Sequence, residues 1–301
     1  MNDQTKHLGH FLLLLVASLS LLFQSSCDHW IEKIWAHLRD DAWWFRLESF
    51  EPLLVICSFT IFIGIFNLFD LIVAENVTPA LVSQRIGPNG LYRSIWVRFV
   101  AWLNNFRVEP HRLPSKRVTK KHFFRVSALK KVVLYLTPIL ALDFIWPRRA
   151  LTSEAPSFFG LVGQIVSALF IYDLLFTVCH IWLHYDKVGF DKVHSKHHNH
   201  SRVQAMDTIN LSLTEAASEV LFSILALNVV GCHPLARALY DLWIVYLLVE
   251  LHSGYDFPFN LANLIPFNLF SGPRQHYFHH RFGNVHYHKF FTCLKILPVI
   301  F

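Results

Sequence analysis

Residues 53 to 73 read LLVICSFTIFIGIFNLFDLIV, twenty-one positions whose one charge is Asp70. A run of that length and apolarity predicts a membrane-spanning helix. Residues 158 to 178 (FFGLVGQIVSALFIYDLLFTV) repeat the pattern. Together with 132 to 146 (VVLYLTPILALDFIW) they predict a helical hairpin that enters the membrane and returns, with Pro147 to Pro156 as its turn. Residues 211 to 230 and 235 to 251 predict a second, more polar hairpin about Gly231-Cys232-His233-Pro234. An earlier run, 11 to 23 (FLLLLVASLSLLF), has only thirteen residues. That is short for a span and suits a signal-peptide core or signal anchor.

Composition agrees with a membrane protein. Of 301 residues 53% are hydrophobic and 16% charged, whereas a typical soluble domain is roughly 25% charged. With 28 Phe and few Gly or Pro, the chain is neither disordered nor collagen-like. The five cysteines (Cys27, Cys57, Cys179, Cys232, Cys293) form no CxxC pair, so they read as isolated thiols rather than a disulfide framework or zinc ribbon. The expected class is an all-α integral membrane protein of helical hairpins.

The net charge of +6 is unevenly placed. Between Glu75 and Lys131 twelve Lys or Arg face only Glu75 and Glu109, a balance of +10 that leaves the remainder at −4. Positive charge just past a span marks the cytosolic side, and this stretch is expected to be a solvated cytosolic loop. The expected organisation is a signal segment over 1–27 and a short lumenal segment over 28–52. The first span, the basic loop and the start of the first hairpin occupy 53–146, a histidine-rich domain 147–292 and a tail 293–301.

Histidine is the other anomaly. Of 19 His, six lie between 180 and 200 and five between 276 and 288. His180 and His184 are four apart at the end of an apolar run, so a continuing helix stacks them one turn apart. His194, His197 and His198 have HxxHH spacing, and His276, His279 and His280 repeat it. On a helix each triplet is expected to share one face. A lone HxxxH says little, whereas one HxxxH followed by two HxxHH points to a metal site. Eight imidazoles exceed the needs of one ion and ask for two metals, and all-nitrogen donors suit iron, zinc or copper rather than calcium or magnesium.

The pattern HxxxH, HxxHH, HxxHH on the ends of two membrane hairpins resembles the fatty acid hydroxylase/sterol desaturase superfamily of membrane di-iron oxygenases. Asp173 seven before His180, the stretch Gly231-Cys232-His233-Pro234-Leu235, and His252-Ser253-Gly254-Tyr255-Asp256-Phe257-Pro258 are similar to its hydroxylases of sterol side chains. The resemblance implies His180, His184, His194, His197, His198, His276, His279 and His280 as iron ligands, with His252 as a further one. It also implies insertion of one oxygen atom of dioxygen into a lipid C–H bond. Electrons would come from cytochrome b5 and an NADPH- or NADH-linked reductase, at boxes facing the cytosol from the endoplasmic reticulum membrane. The substrate would be a sterol side chain. Acyl chains, sterol 4-methyl groups or sphingoid bases, hydroxylated or desaturated, are the alternatives within the superfamily.

Other polar residues carry smaller roles. Asp173 lies two turns below His180 on the same face and is expected either to support a ligand or to pair with a neighbouring helix. Glu215, Glu219 and Glu250 read as hairpin or interface residues and His233 as a turn residue. His200, His286 and His288 are spare imidazoles, and His286 stands where the superfamily usually has Asn. The chain also lacks the aromatic-Asp element and Gly-Thr that the superfamily usually carries after the third box. A membrane metal transporter would place its ligands near the midplane of repeated halves, and no repeat is evident. A nucleic-acid or anionic-lipid binder acting through the basic stretch lacks a recognised module.

Overall fold

The computed structural model describes residues 11, 14, 15, 18–76, 91–109, 141, 145, 151–198 and 203–299. Among them the fold is all-helical, with only two isolated bridges, Arg107 to Tyr255 and Phe270 to Phe291. The principal helices are α1 (Gln24–Asp40), α2 (Phe50–Asn76), α3 (Leu91–Asn105), α4 (Phe158–Tyr185), α5 (Leu213–Val230), α6 (Pro234–His252) and α7 (Pro273–Phe282).

Among the described residues three helical stretches are long and apolar enough to cross a membrane: Phe50–Ala74, Phe158–Tyr185 and Leu213–Val230. They match three of the predicted apolar runs. The arm expected at 132 to 146 lies outside the described residues, apart from Ala141 and Ile145, as do residues 1–10 and His200. One expectation is corrected. The basic stretch read as a loop contains α3, which packs on α2 and buries Val100 and Leu103. Its apolar positions fall at helical spacing, and the flanking Arg residues conceal that period when charge is summed over the stretch.

Helix ends follow local chemistry. Ser157 caps α4 by accepting from Gly160 N at 3.1 Å, and Ser212 caps α5 by accepting from Glu215 N at 3.1 Å. The α5–α6 turn closes on Gly231 at φ 69°, which a glycine adopts without penalty. His233, expected as a plain turn residue, is the cap of α6. Its Nδ1 accepts from Leu235 N at 3.1 Å, ahead of Pro234 at the first helical position.

The two arms of this second hairpin pack on different partners: α5 lies on α4, while α6 lies between α2 and α4. Tyr172 and Tyr240 are fully buried in the core they share. The HSGYDFP stretch at the end of α6 works as a clasp. Tyr255 donates its hydroxyl to Asp70 at 2.9 Å, supplying a partner for the one charge in the α2 apolar run. The backbone of 254–256 pairs with that of 106–108 through Val108 N to Gly254 O at 2.9 Å and Asp256 N to Phe106 O at 2.7 Å. These contacts fix the C-terminal end of α6, where His252 sits, and α7 packs against it.

Candidate metal centre

Helix α4 does continue past the apolar run, so His180 and His184 stack as predicted, with ring centroids 4.8 Å apart. Beyond Tyr185 the helix breaks at Asp186, restarts as an α-turn at Lys187–Gly189 and widens into a π-turn at Phe190–His194. It resumes as one α-turn at Ser195–His198. His276, His279 and His280 lie on α7, which starts at Pro273 and stops at Gly283, φ 74°.

Nine histidines converge in two groups. His180, His184, His194, His198 and His279 form one, and His197, His252, His276 and His280 the other. Within each group one nitrogen per ring lies within 4.8 Å of all the others. All nine positions singled out in the sequence are therefore brought together. The expectation that each HxxHH triplet shares one face is corrected. His194 and His198 join the first group while His197 turns to the second. His276 and His280 join the second while His279 turns to the first. Residues i and i+4 stack along a helix, whereas i+3 is offset by about 60°. The two triplets thus interlock, each giving one ring to the other's group.

The tautomers are set by contacts behind the rings. His180 Nδ1 donates to Tyr287 O at 2.7 Å, His252 Nδ1 to Leu248 O at 2.8 Å and His279 Nδ1 to Val285 O at 2.8 Å. His194 Nδ1 donates to Glu215 Oε1 at 2.6 Å, with both residues buried. A neutral ring that gives its proton at Nδ1 presents a bare lone pair at Nε2.

The Nε2 atoms of these and the other five rings turn toward one another. Nε2 of His180 and His194 are 2.9 Å apart, a repulsive approach of two lone pairs without a cation between them. Other Nε2 pairs stand at 3.1 Å (His194, His184), 3.2 Å (His279, His198), 2.9 Å (His276, His252), 3.0 Å (His280, His276) and 3.3 Å (His252, His197). Imidazoles held at the usual ~2.0–2.1 Å from one ion, ~90–109° apart, have nitrogens separated by ~2.9–3.4 Å. The residues present therefore fit one transition-metal ion in each group. Burial keeps the rings uncharged as well. It pulls His194 down to about 4, and with neighbouring rings it holds His197, His276, His279 and His280 well below the usual imidazole range. Protons then compete weakly for the donor nitrogens at neutral pH.

Asp173 supports the segment after the third box. Its carboxylate accepts from Lys289 N at 2.8 Å, Phe290 N at 2.9 Å and Phe291 N at 2.6 Å. It holds the same strand of backbone that offers Tyr287 O to His180. Lys289 reaches Glu219 at 2.7 Å, a buried pair on the α5 face. These contacts buttress the third box.

Glu215 corrects another expectation. Read as a hairpin residue, it instead orients His194. Glu250 accepts from the Tyr246 hydroxyl at 3.2 Å and lies outside both groups. His286 is exposed, with φ 53°. His288 is 2% exposed, neither ring nitrogen has a partner among the described residues, and it belongs to neither group.

The comparisons with known proteins agree with this geometry. The fatty acid hydroxylase family model matches residues 165–297. Human cholesterol 25-hydroxylase is 28% identical over 269 residues, 89% of each chain. Cholesterol 25-hydroxylase-like protein 1, member 2, of Danio rerio is 29% identical over 188 residues, 62% of this chain and 67% of that protein. Methylsterol monooxygenase 1-3 of Arabidopsis thaliana is 25% identical over 62% of this chain and 64% of its own length. No solved structure matches the chain. With its membrane-length helices and clustered histidines, the chain is similar over residues 165–297 to the fatty acid hydroxylase family and over most of its length to sterol hydroxylases.

Proposed function

We propose that this chain is a membrane di-iron monooxygenase that hydroxylates a C–H bond of a sterol side chain. The observation that carries the reading is the interlocked pair of histidine groups, whose Nε2 atoms converge at cation-compatible distances. His180, His184, His194, His198 and His279 would hold one iron; His197, His252, His276 and His280 would hold the other. Bound iron supplies the activation of dioxygen and the removal of an alkyl hydrogen, chemistry that no side chain provides. The overall change balances as R–H, dioxygen, two electrons and two protons giving R–OH and water.

The chain's own residues perform the rest. Glu215 and the carbonyls of Tyr287, Leu248 and Val285 hold His194, His180, His252 and His279 in the donor tautomer. The apolar helices α2, α4 and α5 give a lipid a route from the bilayer. No nicotinamide- or haem-binding motif supplies the electrons, so the reading includes cytochrome b5 and its reductase at a cytosolic face. The same reading places the chain in the endoplasmic reticulum membrane. Kinship with cholesterol 25-hydroxylase supports the sterol assignment.

Lipid extracts of cells expressing the chain, compared with the His197→Ala/His198→Ala variant, test this directly. A hydroxysterol present only with the unaltered chain is expected. Production of equal amounts by both would overturn the reading. A hydroxylated acyl or sphingoid product would keep the chemistry and replace the substrate.

A further inference from the structure

The hairpin whose arms pack on different partners leaves a cleft. Its walls come from α2, α5 and α6 and are largely apolar, with Val55, Phe59, Val220, Ile224, Ile244 and Val245 among them. The enclosed part measures about 80 Å³. That is below the ~300–1,000 Å³ of closed ligand pockets, so a long ligand here lies along an open cleft rather than inside a chamber.

The two ends of the cleft differ. One lies toward the metal centre and ends a layer of side chains short of it, with no histidine in its lining. Leu248 lines it and its carbonyl accepts from His252, while Glu219 lines it and pairs with Lys289. The Lys289 ammonium lies 3.8 Å from the Phe176 ring, which in turn packs on His180 with centroids 4.7 Å apart. The other end, fifteen residues or ~22 Å down α6 from His252, carries Glu51, Arg237 and Asp241. All three are less than a tenth exposed. Arg237 engages Glu51 through Nε at 2.9 Å and Nη2 at 2.8 Å. Asp241 lies one turn on along α6, so two carboxylates face one guanidinium. Charge buried among apolar helices is costly and marks a place where something polar is met.

We propose that Glu51, Arg237 and Asp241 form the anchoring site for the hydroxyl head of a lipid lying along this cleft, with its apolar end toward the histidines. The inference rests on the proposed reading of the histidine groups as the site of oxidation. Charge selects the head group. A cluster of net −1 repels a carboxylate or phosphate, whereas a neutral hydroxyl donates to a carboxylate oxygen. Length selects the position oxidised. A lipid held by its hydroxyl at this end presents the carbons furthest from that hydroxyl to the metals. The arrangement thus favours oxidation of a sterol side chain over a methyl group beside the sterol hydroxyl, or over carbons beside an acyl carboxylate.

Equilibrium binding of tritiated cholesterol to the full, iron-loaded chain in detergent tests the anchor apart from turnover. Cholesterol is expected to bind and to be displaced by unlabelled cholesterol. Its 3-ketone, which cannot donate, is expected to compete about tenfold more weakly, and oleate not at all. Asp241→Leu, which removes the acceptor at similar size, is expected to weaken binding about tenfold with metal content unchanged. Equal competition by the ketone, displacement by oleate, stronger displacement by sphingosine, or wild-type binding by both Asp241→Leu and the cleft-filling Ile244→Trp would overturn the proposal. If the chain oxidises a lipid but binds no cholesterol, the anchor falls and the chemistry stands. If it binds cholesterol as described and oxidises nothing, the anchor stands and the chemistry falls.

Discussion

Replacing Asp173 with Asn isolates the support behind the third box, because the side chain keeps its shape and loses one acceptor. In the native protein Oδ1 takes the Lys289 amide and Oδ2 takes those of Phe290 and Phe291. Asparagine has one oxygen. In either orientation its NH2 faces at least one backbone N–H, leaving a buried donor unpaired. A hydrogen bond to a charged group is worth ~1.5–3 kcal/mol, and a stranded donor costs a similar amount. The expected loss is about 3 kcal/mol, or on the order of 5 to 10 °C in the unfolding midpoint for a domain of this size. Because the loosened backbone carries Tyr287, whose carbonyl holds His180, iron retention is expected to fall ~10–100-fold as well. Thermal unfolding in detergent and dialysis against a weak chelator measure the two effects. Thr177→Val, which removes only a 3.5 Å contact to Asp173, is the control and should be nearly silent. An Asp173→Asn chain that melts and holds metal like the unaltered one would refute the clamp.

Glu215→Ala should weaken metal binding ~10–100-fold, with Gln restoring most of it because an amide oxygen still accepts from His194 Nδ1; chelator titration of the two variants decides this, and equal affinity in Glu215→Ala would count against the contact. His233→Ala should lower stability by ~1 kcal/mol through loss of the α6 cap while leaving metal content unchanged, as thermal unfolding and elemental analysis will show. His286→Asn should preserve both metal content and turnover, since the residue lies outside both groups and asparagine tolerates φ 53°; loss of either would make His286 part of the site.

Much of this architecture is legible in the sequence because hydrophobic runs and their lengths are local properties. The apolar runs at 53–73, 158–178 and 211–230 became α2, α4 and α5 with ends moved by a few residues, and the nine converging histidines follow from spacing and resemblance together. What the sequence conceals is pairing across distance. Nothing local says that His197 and His279 cross to the opposite group, since that depends on how the 190–198 turn meets α7. Glu215 is hidden by its own neighbourhood. Ser212-Leu213-Thr214-Glu215 fits a helix-capping pattern, which gives the glutamate a local reason to be there and masks its contact with His194. A supporting role for Asp173 is legible from its place below His180, but its partners are not, since they are amides 116 to 118 residues away.

The central claim is that two ions share nine imidazoles. It is tested most directly by elemental analysis of the chain purified without oxygen and loaded with iron, alongside His184→Ala from one group and His276→Ala from the other. Two equivalents of iron per unaltered chain are expected, with each variant losing predominantly one. A single equivalent, no bound transition metal, or full retention in both variants would contradict the account.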